Sequence, residues 1–190
     1  MKAAFHQNKT FEKISYSGQE VWDRDFENCT FKVCDFFDSK FAGCRFTDCT
    51  FIGCNLAMMK LYRSTLGNVV FKECKLTGVN FSDCEDVLFT VGFENCILDY
   101  ASFMRKKMPK TSFRKCSLKE VVFSQANLEK AEFDETDLEG AIFNQSQLKE
   151  ADFRSAYNYD IDPELNTIKR AKFSQHGLAG LLRKHALQVE

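Results

Sequence analysis

Nine cysteines stand out among the residues able to do chemistry: Cys29, Cys34, Cys44, Cys49, Cys54, Cys74, Cys84, Cys96 and Cys116. A thiolate can bind a soft metal, act as a nucleophile or pair as a disulfide. Zinc centres draw their ligands from close pairs such as C-x-x-C, and no such pair occurs here. The three histidines, His6, His176 and His185, lie toward the two ends. None belongs to an HExxH motif, and no GxSxG elbow or glycine-rich phosphate loop is present. Acidic residues are abundant, yet 27 acids against 26 bases leave a net charge of −1. No global field commits the chain to nucleic acid or membrane. These residue types predict no catalysis, no metal and no cofactor.

The element that positions these residues is a repeat. Every fifth residue from Phe11 to Phe81 is apolar, mostly Phe or Leu. The phase then slips by two, restarts at Leu88 and runs through Phe93, Leu98, Phe103, Met108, Phe113, Leu118, Phe123, Leu128, Phe133, Leu138, Phe143 and Leu148 to Phe153. Two residues before most centres the side chain is small. It reads Cys29, Cys34, Ser39, Cys44, Cys49 and Cys54 early, and Ala126, Ala131, Thr136, Ala141, Ser146 and Ala151 late. All nine cysteines occupy this small position, so they behave as small core residues. Two inward side chains separated by one outward residue mark an extended segment, not a helix. The other two residues of the unit can turn a corner. Each unit is then one side of a coil, with successive coils paired at about 4.8 Å.

The small-x-large-x-x unit resembles the pentapeptide-repeat family, whose motif is A(D/N)LXX, over roughly residues 11 to 173. The resemblance implies an all-β fold, a right-handed quadrilateral β-helix with four units, or twenty residues, per coil. One side would then stack Phe93, Phe113, Phe133, Phe153 and Phe173, and the opposite side Phe103, Phe123 and Phe143. Cys34, Cys54 and Cys74 would share one face at a spacing that permits a disulfide. A reducing cytoplasm favours free structural thiols. A filled tube of about eight coils is a rod near 40 Å long. It offers recognition surface rather than a deep pocket.

Three features depart from the repeat. Residues 82–92 hold the phase slip, with Asp86 where a centre is due, and predict a bulge or small loop. Residues 104–110, MRKKMPK, place Lys106 at an inward small position and Pro109 at a ladder position. This side is expected to swing outward as a basic loop presenting Arg105, Lys106, Lys107 and Lys110. After the β-helix of residues 1–173, residues 174–190 read as a short C-terminal α-helix with Ser174 as N-cap. Leu178, Leu181 and Leu182 form its apolar stripe and are candidates for capping the tube or for pairing with a second copy. Outward acids concentrate between Ser117 and Asp152 and include Glu132, Asp134, Asp137 and Glu139.

The full-length repeat, the closing YDIDPELNTIKRAKFS and the terminal GLAGLLRKHALQV are similar to the quinolone-resistance (Qnr/MfpA-type) and microcin-immunity members of the family. That resemblance implies a cytoplasmic homodimer that binds a type II DNA topoisomerase, DNA gyrase or topoisomerase IV. It implies protection of that enzyme from quinolones or peptide toxins. Strongly acidic members imitate DNA, which carries one negative charge per about 1.7 Å of axis. With this chain near neutral, contact by shape and by the basic segment stands beside mimicry. A scaffold with an unrelated protein partner is the alternative. Neither direct nucleic-acid binding nor membrane insertion is expected. No apolar run approaches the roughly 18 residues of a membrane span. The first residues lack the apolar core of a secretory signal.

Overall fold

The structure, a computed structural model, describes residues 4–187, so the outermost residues of both expected segments, 1–3 and 188–190, lie outside the described residues. The chain winds into a β-solenoid of about eight turns. One side carries a continuous nine-stranded parallel sheet. It begins at Thr10–Glu12 and Thr30–Lys32 and ends at Asp152–Phe153 and Lys172–Phe173. Partners are twenty residues apart, as in Phe31 with Phe51 and Phe113 with Phe133. The exception is Phe71 with Phe93, twenty-two apart, where the slip falls. The side chains of this column stack at 4.6 to 5.3 Å between ring centroids, with the planes 3° to 18° apart. Phe113, Phe123, Phe133, Phe143 and Phe153 are all buried.

Two residues after nearly every centre the backbone turns with a positive φ, from Lys13 (53°) and Asp23 (49°) to Lys130 (59°) and Glu150 (59°), with Asp83 at the slip and Ser155 near the end as exceptions. A left-handed residue at these corners bends the chain sharply enough for four sides to close. Even β-branched Val33 adopts it, at φ 52°. The local cost, of order 1–2 kcal/mol, is offset by bonds between coils on either side.

The slip is resolved differently from the expectation that the phase restarts at Leu88. Leu88 is 73% exposed with φ 60°, and Val87 beside it is 68% exposed. Phe89 turns inward instead, and Val91 and Phe93 resume the small and large positions. The two extra residues are extruded as a tip because a filled tube has no room for them.

The segment 104–110 does not swing outward. It keeps the regular coil, with Lys107 bridged to Asn127. Lys106 stays in the small inward position, 2% exposed. Its Nζ donates to the carbonyl of Cys84 and, at 2.8 Å, to Asp86 Oδ1, and lies 5.0 Å from the Phe89 ring. The slip makes this possible, since it delivers a carboxylate and a free carbonyl to the position directly before Lys106. The two departures from the repeat are therefore one construction.

The terminal helix is present but wound as a 3-10 helix over Gln175–Leu181, followed by a turn at Arg183–His185. Ser174 accepts from the Gly177 amide at 3.2 Å as N-cap. Gly177 and Gly180 let the helix lie directly on Tyr159, where no β-carbon would fit. Leu181 packs on the core, whereas Leu178 and Leu182 face outward.

Candidate partner-contact surface

The core leaves little for chemistry. All nine cysteines are free and buried. Burial pushes the Cys49 thiol up to about 11 and the Cys84 thiol up to about 12, so both are protonated at neutral pH. Cys34, Cys54, Cys74, Cys96 and Cys116 form one column beside the phenylalanine stack. All five thiols are unbridged. No group of three or more His, Cys, Asp or Glu able to hold a metal occurs among the described residues.

The outward candidates divide into two sets on different sides. Glu132 and Asp134 border the nine-stranded sheet, while Asp137 and Glu139 lie on the next side round. Three of the four are paired with bases one coil back. Asp134 meets Arg114 at 3.6 Å, and Lys119 bridges Asp137 at 3.3 Å and Glu139 at 2.7 Å. The pattern extends along the rod as Lys72–Glu94, Arg114–Glu94, Lys115–Glu135, Lys130–Glu150 and Lys149–Glu129. Acids and bases alternate from coil to coil, so the acidic stretch is neutralised by its neighbours.

Lys107 lies on the side opposite Asp137, and Arg105 and Lys110 stand at the two corners of that side, Lys110 next to the nine-stranded sheet. All three are exposed, and none has an ion-pair partner within 4.0 Å among the described residues. Arg105 Nε donates to Gln125 Oε1 at 2.9 Å. Lys106, expected with them, is buried and withdrawn from contact. The sequence did not single out the tip formed by Val87 and Leu88, which projects one coil before the three bases. Its signal was the consecutive apolar Val87, Leu88 and Phe89, where the repeat allows one inward residue. The Asp86–Lys106 pair fixes the base of this tip. The result is a patch with an apolar point and a basic flank, anchored at its base by Lys106.

A four-sided solenoid with a filled core, built on a five-residue unit, defines the class of protein. The pentapeptide repeat region family matches residues 24–87 and 87–157, and the chain belongs to that family. Among solved structures it is similar to trypsin-treated QnrB1, a plasmid-mediated fluoroquinolone resistance protein. The TM-score is 0.57 at 17% identity, covering 99% of this chain and 98% of that one. Full-length QnrB1 aligns with a TM-score of 0.51 at 18% identity, covering 94% of this chain and all of that one. A search of curated protein sequences finds no match. No helix among the described residues is long and apolar enough to cross a membrane.

Proposed function

We propose that this protein is a non-catalytic binding protein that engages a type II DNA topoisomerase in the cytoplasm and protects it from quinolones or peptide toxins. The observation that carries this is the similarity to QnrB1 along nearly the whole of both chains. The contact is made by the Val87–Leu88 tip together with Arg105, Lys107 and Lys110. Apolar side chains held on a rigid base lose little entropy on docking, and unpaired bases flank them. The alternating ion pairs along Glu132, Asp134, Asp137 and Glu139 support this patch over wholesale imitation of DNA. Two copies join through Leu178 and Leu182, which the terminal helix leaves uncovered. Leu181 serves the cap.

The test is gyrase supercoiling and drug-induced cleavage with a fluoroquinolone, with and without the protein. Rescue is expected at micromolar protein, with at least a tenfold loss for Leu88→Asp. Absence of binding and rescue would overturn the proposal. An affinity capture lacking topoisomerase subunits but enriched in one other protein would favour the scaffold alternative. Leu182→Asp is expected to halve the mass measured by light scattering, and an unchanged mass would leave the helix as a cap alone.

A further inference from the structure

The coils after the slip carry a charge pattern that the alternating ion pairs do not account for. One side of the tube runs outward through Lys107, Asn127, Gln147 and Thr167, bridged in register. The corner that follows it runs through Lys110, Lys130, Glu150 and Arg170, each with a φ of 59° or 60°. Glu129, Lys149 and Lys169 stand beside that corner, their carbonyls each bonded to the corner amide of the coil before. This strip holds six bases, Lys107, Lys110, Lys130, Lys149, Lys169 and Arg170, against two acids, a net charge of +4 in a chain of −1. The opposite side leans the other way, with Asp99, Glu120, Asp137 and Glu139 against Lys119, a net −3. Near neutrality of the whole thus conceals a cationic side and an anionic one.

The cationic strip is not uniform. Its two acids are matched by its two middle bases, Glu129 with Lys149 at 3.0 Å and Glu150 with Lys130 at 3.6 Å. The middle coils are therefore neutral. Lys107 and Lys110 on the coil before, and Lys169 and Arg170 on the coil after, are exposed and have no ion-pair partner within 4.0 Å among the described residues. Elsewhere after the slip, Lys115, Lys119 and Lys172 are each paired with an acid one coil away. Two doublets of unpaired bases thus stand three coil steps apart on one flat side, about 14 Å. The spacing narrows the occupant. A nucleic-acid backbone carries charge continuously, so it would also lie over Glu129 and Glu150 and be repelled there. A polypeptide can place acids at two points with a neutral stretch between. In an extended chain, acidic pairs four residues apart lie about 13 Å from each other.

We propose that this strip is a docking surface for an acidic segment of a partner protein, in which two acidic pairs bracket a neutral stretch. It shares Lys107 and Lys110 with the contact proposed above and extends that contact to Lys169 and Arg170, without depending on which protein the partner is. The experiment titrates the isotope-labelled full chain at low salt with the peptide acetyl-Asp-Asp-Gly-Ser-Asp-Asp-amide and follows the backbone amides by NMR. Saturable shifts are expected over residues 107–110 and 167–170, with a Kd of about 1 mM, as suits a few exposed ion pairs. They fade as added salt screens the charges. The isomer acetyl-Gly-Asp-Asp-Asp-Asp-Ser-amide has the same charge without the spacing and binds about threefold more weakly. The double variant Lys169→Glu, Arg170→Glu changes two exposed residues, keeps the melting curve of the parent and weakens the first peptide about tenfold. No saturable shift, shifts centred on another side, or equal affinity for the two peptides would overturn the proposal. So would tighter binding of a 12-base-pair DNA duplex than of the first peptide. Rescue of gyrase without peptide binding would sink the strip alone, whereas peptide binding without rescue would support the strip and sink the topoisomerase reading alone.

Discussion

The two halves of the solenoid, before and after the slip, build the same four-sided tube with different corners. Before it, the small position is mostly cysteine. The Cys54 thiol lies 3.4 Å from the Phe31 carbonyl and 3.4 Å from the Ile52 carbonyl. Cys29, Cys34 and Cys49 repeat this, one S–H facing a carbonyl of the previous coil and one of its own. No backbone bond from these cysteines to the preceding centre closes their corners among the described residues. After the slip alanine, which has no donor, becomes the commonest residue at the small position. There the amide of Ala126 bonds to Phe123 and that of Ala131 to Leu128, each at 3.0 Å, closing a tight turn. Strands follow the same division. They cover three sides in the first half and only the nine-stranded side in the second, where isolated bridges serve the rest. Cys96, Cys116 and Thr136 carry the open corner into the second half along that one side, and Thr136 Oγ1 donates at 3.0 Å to Phe113 and Asp134. A side-chain donor thus accompanies the open corners of Cys29, Cys34, Cys49 and Cys54, but it does not set the corner alone. Ser64 donates to the Phe41 carbonyl of the previous coil while its amide still closes on Leu61, and Val69 and Val91, with no donor, begin strands.

The cores differ in parallel. In the first half rings meet round the corners as well as along the column, through Phe26–Phe31, Phe31–Phe36, Phe36–Phe41 and Phe41–Phe46 at 5.4 to 6.0 Å. In the second, two opposite phenylalanine columns cross edge to face at the axis, as in Phe123–Phe133 at 6.0 Å and 84°. Leu98, Leu118, Leu138, Leu128 and Leu148 fill the other two sides.

The severest break in this comparison is Phe123→Asp. It places a charge in a fully buried column and should cost at least about 4 kcal/mol, which unfolds the second half. Normal melting by circular dichroism would refute the shared column of Phe103, Phe123 and Phe143. Lys106→Met removes the pin between the halves and leaves the Cys84 carbonyl without its donor. A loss of about 1–3 kcal/mol is expected, with faster amide exchange over residues 85–90. Exchange at the parent rate would mean the tip stands without the pin. The contribution of the side-chain donor at one open corner is tested by Cys96→Ala and Cys96→Thr. Alanine should cost about 1–3 kcal/mol by abandoning two buried carbonyls. Threonine, which already serves at Thr136, should cost less than about 1 kcal/mol. Equal losses in chemical denaturation would mean that the donor contributes nothing at this corner.

The smallest effect concerns acid. Glu94 is held below the ordinary carboxylate range by the hydrogen bond from Lys72, Glu129 by that from Lys149, and Asp152 by that from Arg154. All three lie after the slip. Carboxylates depressed in the folded state contribute stability at neutral pH, and that stability is lost as pH falls through their lowered folded values. The combined variant Glu94→Gln, Glu129→Gln, Asp152→Asn should show a flatter decline of melting temperature through the acid range. A decline as steep as the parent's would assign acid sensitivity elsewhere.

Much was legible in the residues. The period of Phe and Leu, the confinement of all nine cysteines to one inward position and the slip near Asp86 follow from spacing, because a five-residue unit with two inward side chains admits few shapes. The contact surface was less so. Lys106 is a charge in a core position, and expelling it is the natural expectation when only its own segment is in view. Its partners, Asp86 and the Cys84 carbonyl, come from the previous coil, twenty and twenty-two residues back, and only the extruded tip delivers them. Leu88 fell on the renewed period, yet Phe89 won the inward place.

The sequence by itself determined the repeat, the composition of the core and the places where the repeat fails. The tertiary structure alone decided how each failure is absorbed, which corners stay open and which outward charges cancel. These outcomes depend on what lies one coil above and below, and a local period carries no information about a neighbour twenty residues away until the coil closes.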